Sequence, residues 1–270
     1  MYARGRGQAV LRRVLLFFTA VIVLSGLAMR LKKGGMQVEQ VAQPTATPIA
    51  YAYDETIETR QVKLGGTAWY AVQTGIFTSA EAAQERAAAY TGRGAPGYMV
   101  RDGERYRVLI ACYALEEDAK AVCDRLRDKQ KMDVHLYAWQ RDETLLKLTG
   151  MAGQLDVAEA GATLLDGAAA RMRDKAAEID RGECTGERAL EAMDEIEKQL
   201  QLWRNVTIQR FRRPAPVLIE QMLGAADAWE KIYDQVKNTK TLTALSAEMK
   251  LGGMAMFDCL AQMQKALENS

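Results

Sequence analysis

Histidine is almost missing from this chain. A single residue, His135, occurs among 270. Serine–histidine and cysteine–histidine catalysis with several histidines, and multi-histidine metal sites, therefore have no basis here. Four cysteines, Cys112, Cys123, Cys184 and Cys259, show no C-x-x-C or zinc-like spacing, which points to buried thiols; a Cys112–Cys123 disulfide stays open if the region is exported. Net charge is also close to absent, at +1 from 36 basic and 35 acidic residues. No global field favours nucleic acid or another polyanion, so nucleic acid is not expected as a partner. No cofactor or metal is expected either.

What is present is apolar and patterned. Hydrophobic residues make up 49% and charged residues 26%, the balance of a globular protein. The run Val14 to Met29 carries no charge. With flanking Ala9 to Leu11 and the stems of Arg12, Arg13 and Arg30, it approaches the ~20 residues that span a bilayer. Arg4, Arg6, Arg12 and Arg13 precede it and favour a cytoplasmic N-terminus. A cleaved signal peptide, cut near Gly26-Leu27-Ala28, is the competing reading; both place the remainder outside the cytoplasm.

Gly34 to Gly66 reads as a tether, with Gly34-Gly35, a Gln/Thr/Pro patch and Gly65-Gly66. From Trp69 the pattern alternates. Trp69 to Phe77 predicts a strand and Ser79 caps a helix running to Tyr90. Gly97 to Arg101 and Arg105 to Ala111 predict a hairpin around Asp102-Gly103-Glu104. Leu115 to Lys129 predicts a second helix, and Val134 to Ala138 a last strand. The order is β-α-β-β-α-β, one four-stranded sheet with both helices on one face. Period-2 alternation sends Tyr70, Val72 and Thr74 toward the helices and Ala71, Gln73 and Gly75 to the other, bare face. On the third strand Tyr106, Val108 and Ile110 face the helices; Arg107, Leu109 and Ala111 face away. A three-residue hairpin loop is expected, which would bring Met99 and Arg101 to the bare face as well; a two-residue turn would bury Arg101.

The residues Val72-Gln73-x-Gly75-x-Phe77, the Ser79-led helix and Tyr106-Arg107-Val108-Leu109-Ile110 resemble the sporulation-related repeat, or SPOR domain, over Trp69 to Trp139. Two positions depart from the family pattern: Ala111-Cys112 stands where Gly-Pro is frequent, and Ile76 replaces a small polar residue. The resemblance implies binding to peptidoglycan glycan strands, in particular strands stripped of stem peptides, in cell division, sporulation or envelope biogenesis. It also implies that binding uses the helix-free sheet face. Carried over position by position, the glycan-binding residues are Gln73, Ile76, Arg107 and Leu109. No catalytic group is implied.

Beyond Arg141 apolar residues recur at helical spacing. One seam runs from Leu148 and Met151 to Ile179, a second over Leu190 to Trp203, a third over Leu218 to Val236 and a fourth over Leu242 to Leu267. Four amphipathic helices predict an all-α bundle, its methionines and tryptophans forming core. The expected fold class is thus α+β plus an all-α helical bundle, with an N-terminal transmembrane helix. Its expected organisation is a cytoplasmic basic segment over 1–13, an anchor over 14–31, a flexible linker over 32–67, the SPOR-like module over 68–140 and the bundle over 141–270. The expected protein is a single-pass, non-enzymatic, membrane-anchored peptidoglycan binder. The bundle would serve interaction with another envelope protein, or, in the alternative reading, carry a wall hydrolase.

Overall fold

In the computed structural model, which describes residues 56–211 and 214–268, the chain runs β1 (Ile57–Leu64), β2 (Thr67–Phe77), α1 (Ala80–Thr91), β3 (Tyr98–Asp102), β4 (Arg105–Tyr113), α2 (Glu116–Gln130), β5 (His135–Arg141), β6 (Thr144–Met151), α3 (Ala152–Asp180), α4 (Gly186–Arg210), α5 (Val217–Lys237) and α6 (Leu242–Glu268). The segment expected to cross the membrane, 14–31, lies outside the described residues. Among those residues no helix is long and apolar enough to cross a membrane.

The β-α-β-β-α-β order holds from β2 to β5. These strands form one antiparallel sheet in the order β3-β4-β2-β5. Ser79 caps α1 as expected, its Oγ accepting from the Ala82 N–H at 3.2 Å. Helices α1 and α2 cover one face, with Ala83, Ala87, Ala119 and Cys123 packed on Val72, Val108 and Ile110. The small alanines let both helices lie close to the strands.

Two register features differ from the alternation read along the chain. The β2–β4 ladder shifts between Val72 and Gln73 and again between Gln73 and Gly75. An extra residue at the first shift turns Ala111 to the helix side and Cys112 to the opposite side. The β3–β4 connection is a two-residue turn, because Asp102 pairs with Arg105. Gly103 takes its first central position with φ +61°, a conformation open to glycine in a tight hairpin. Tyr98 and Val100 then share the face of Arg107, while Arg101 stays exposed.

A second, two-stranded sheet pairs β1 with β6, antiparallel from Ile57↔Met151 to Leu64↔Thr144. This corrects two expectations. Residues Ile57–Leu64, read as part of the tether, form a strand, and the first helix of the bundle begins at Ala152, not Leu148. Thr144, Leu146, Leu148 and Gly150 are half-buried and alternate with exposed neighbours, the period of a strand. Heptad spacing from Leu148 to Leu155 masked that short alternation.

The four C-terminal helices pack as a ring, α3 beside α4 and α6, α5 beside α4 and α6. Connections of a few residues make neighbours antiparallel. The seam positions Leu155, Leu165, Met172, Met193, Leu200, Trp203, Met222, Trp229, Met249 and Met256 are all buried. Gly161 is required where α3 meets α4: a Cβ there would lie 2.5 Å from the Trp203 ring, whose indole N–H donates to the Val157 carbonyl at 2.8 Å.

The bundle does not stand apart from the sheet. Trp69, Ala71, Val100, Leu109, Cys112 and Trp139, all on the sheet face away from α1 and α2, belong to the same apolar core as Met172, Met254, Phe257 and Leu260. The face expected to be bare is covered by α3 and α6. The physical reason is visible in its residues, since two tryptophans, a leucine and a valine would otherwise present a large apolar patch to water. Cys112 lies in this core and Cys123 in the other, on opposite sides of the sheet, and all four cysteines are free thiols.

Candidate functional site

Arg107, near the start of β4, is the centre of the polar cluster on this face. Its Nε donates to Asp102 Oδ2 at 2.6 Å, and its Nη1 donates to Gln73 Oε1 at 2.6 Å. Its guanidinium lies over the Tyr137 ring at 4.4 Å from the centroid. Each partner comes from a different strand, so the tight hairpin, the double bulge in β2–β4 and the β2–β5 register all fix one side chain. Arg107 keeps a fifth of its side-chain surface exposed. A planar guanidinium with fixed acceptors and an aromatic platform is preorganised to donate its remaining N–H groups outward.

The four expected contact residues fall into two sets. Gln73 is 5% exposed and Leu109 fully buried, so neither presents an open surface. Ile76 is 44% exposed and pairs across the ladder with Arg107. The structure thus brings Gln73, Ile76 and Arg107 together and places Leu109 under the bundle. Asp102 and Tyr137 were not singled out from the sequence. Tyr137 could have been, because β5 alternation puts it on the side of Trp139.

The cover over the sheet face is built from ring and ion contacts. Phe257 of α6 lies against Trp69 and Trp139, with centroid distances of 4.3 Å and 4.8 Å. Arg173 of α3 sits over the Trp69 ring at 4.7 Å. At the border of the covered area the Tyr98 hydroxyl donates to Asp258 Oδ2 at 2.8 Å. Burial raises the Asp258 carboxyl above the usual range, against the lowering effect of its bonds from Tyr98 and Gln262. Burial likewise pushes the Cys112 thiol up to about 12, which leaves it protonated and unreactive.

Beyond that border a cleft of about 580 Å³ remains open between the sheet and the end of α6. Its walls include Asp102, Tyr137 and Gln140 from the sheet and Asp258, Gln262 and Lys265 from the helix. Among the described residues, no group of three or more carboxylate, histidine or cysteine side chains is arranged to hold a metal ion.

Residues 66–136 match the SPOR domain family, and the helices that follow match no family. No curated protein and no solved structure matches the chain.

Proposed function

We propose that this chain is a non-enzymatic cell-envelope protein that binds peptidoglycan glycan strands, with preference for strands lacking stem peptides. The SPOR match supports peptidoglycan binding and a role in cell division. The observation that carries the site is Arg107, fixed at once by Asp102, Gln73 and Tyr137 at the uncovered end of the sheet face. Arg107 and Ile76 contact the glycan in this reading, Gln73 is a positioning residue for the guanidinium, and Leu109 acts only by packing. The apolar run at 14–31 anchors the chain in the cell membrane by a single span, with the folded part outside the cytoplasm.

A sugar strand offers hydroxyls, acetamido groups and apolar ring faces. Guanidinium donors beside an isoleucine and a tyrosine match that chemistry without any group that must be deprotonated or metal-bound. The test is co-sedimentation of the full-length chain with intact and amidase-treated sacculi. Retention should rise when stem peptides are removed and fall in the Gln73→Ala, Arg107→Ala double variant. Unchanged retention by a folded double variant overturns the site; release of soluble muropeptides overturns the non-enzymatic reading.

A further inference from the structure

The bundle covers most of the sheet face but stops short of the cleft, and α6 contributes one of its walls. Asp258, Gln262 and Lys265 follow one another at i, i+4 and i+7, so they lie along one face of the C-terminal turns of α6. Tyr98 and Gln262 both donate to Asp258 Oδ2. Two further lining residues, Arg141 and Gln264, are 5% and 4% exposed, and each keeps a buried polar atom, Nε and Oε1, without a partner among the described residues. Buried donors and acceptors are normally satisfied, so these two enclosed atoms mark incomplete hydrogen bonding beneath the cleft wall.

We infer that α6 is the second wall of the glycan site: a short stretch of acetamido-sugar strand lies in the cleft, its hydroxyl and amide groups meeting Asp258, Gln262 and Lys265 while the sheet side supplies Asp102 and Tyr137, the two cleft residues that hold Arg107. This rests on the glycan reading above and extends it from the sheet to the bundle. The volume is within the range of about 300–1,000 Å³ usual for small-ligand sites. The walls carry donors, acceptors and the aromatic side chains of Tyr137 and Trp139, a mixture that suits a polyhydroxyl ligand. The charges do not favour a polyanion, since Arg101, Arg141 and Lys265 face Asp102, Asp142, Asp258 and Glu268. The ligand enters with the bundle in place, because lifting α6 would expose Trp69, Trp139 and Phe257 together.

Gln262 and Lys265 are both exposed, so replacing them leaves the core intact. In the full-length chain, the Gln262→Ala, Lys265→Ala double variant should bind amidase-treated sacculi roughly tenfold more weakly than the unaltered chain, the effect of losing two polar contacts. If this variant binds normally while Arg107→Ala does not, the helix wall is wrong and the sheet site stands. If the unaltered chain fails to bind, the glycan reading itself is wrong and takes this inference with it. Hydrogen exchange adds a second measurement: glycan chains released by amidase should slow exchange at residues 258–268. Faster exchange in α6 on binding would mean that the helix lifts away, which overturns the closed cleft.

Discussion

Trp69 on β2 and Phe257 on α6 lie in ring contact, with centroids 4.3 Å apart and planes inclined at 31°. One residue belongs to the SPOR-matching sheet and the other to helices that match no family, yet both are essentially inaccessible to water. The contact joins the sheet and the bundle in one continuous apolar core, unlike a binding module joined to an independent domain. It also fixes which part of the sheet face a ligand can reach.

Phe257→Ala should therefore destabilise the whole folded region by about 3–5 kcal/mol, the usual cost of removing a buried aromatic ring. Unfolding should remain a single transition, with circular dichroism and tryptophan fluorescence losing signal at the same denaturant concentration. Two separated midpoints would show that the sheet folds independently and that the shared core contributes little.

The sheet, its helices and the bundle seams were legible because each rests on a local period: alternation at Tyr106 to Ile110, helical spacing at Leu155 to Ile179. The cover on the sheet face is a property of two distant segments, and no local period encodes it. A signal was nevertheless present. Met254, Met256, Phe257, Leu260 and Met263 are all buried and cover more than one stripe of α6, the pattern of a helix enclosed on several sides. Trp69, Ala71 and Leu109 on the face expected to be bare pointed the same way. The bulge beside Gln73 and the β1–β6 ribbon were hidden for other reasons, one from an inserted residue and the other from leucines that also fit a helical seam.

Arg107 should not be replaceable by lysine. Its Nε and Nη1 serve Asp102 and Gln73 at the same time, whereas one ammonium at the end of a flexible stem cannot hold both geometries and the Tyr137 ring. Arg107→Lys should weaken binding to amidase-treated sacculi by about tenfold or more, close to the loss in Arg107→Ala. Binding isotherms decide the point: a lysine variant with normal affinity would show that positive charge alone suffices there.

Asp258 gives the folded chain a pH dependence of defined sign. Burial raises its carboxyl above the ordinary value of about 3.9. In the window between that value and the raised one, the folded state keeps a proton that the unfolded state has released. Raising the pH through this window therefore costs stability, and below about pH 4 the cost vanishes because both states are protonated. Asp258→Asn preserves an acceptor for the Tyr98 hydroxyl but cannot ionise. The variant's melting temperature relative to the unaltered chain should rise as pH increases above about 4 and level off once the folded carboxyl is ionised. A constant difference from pH 4 to pH 8 would mean that Asp258 ionises without penalty. The border of the cleft at the Tyr98–Asp258 bond would then be open to water.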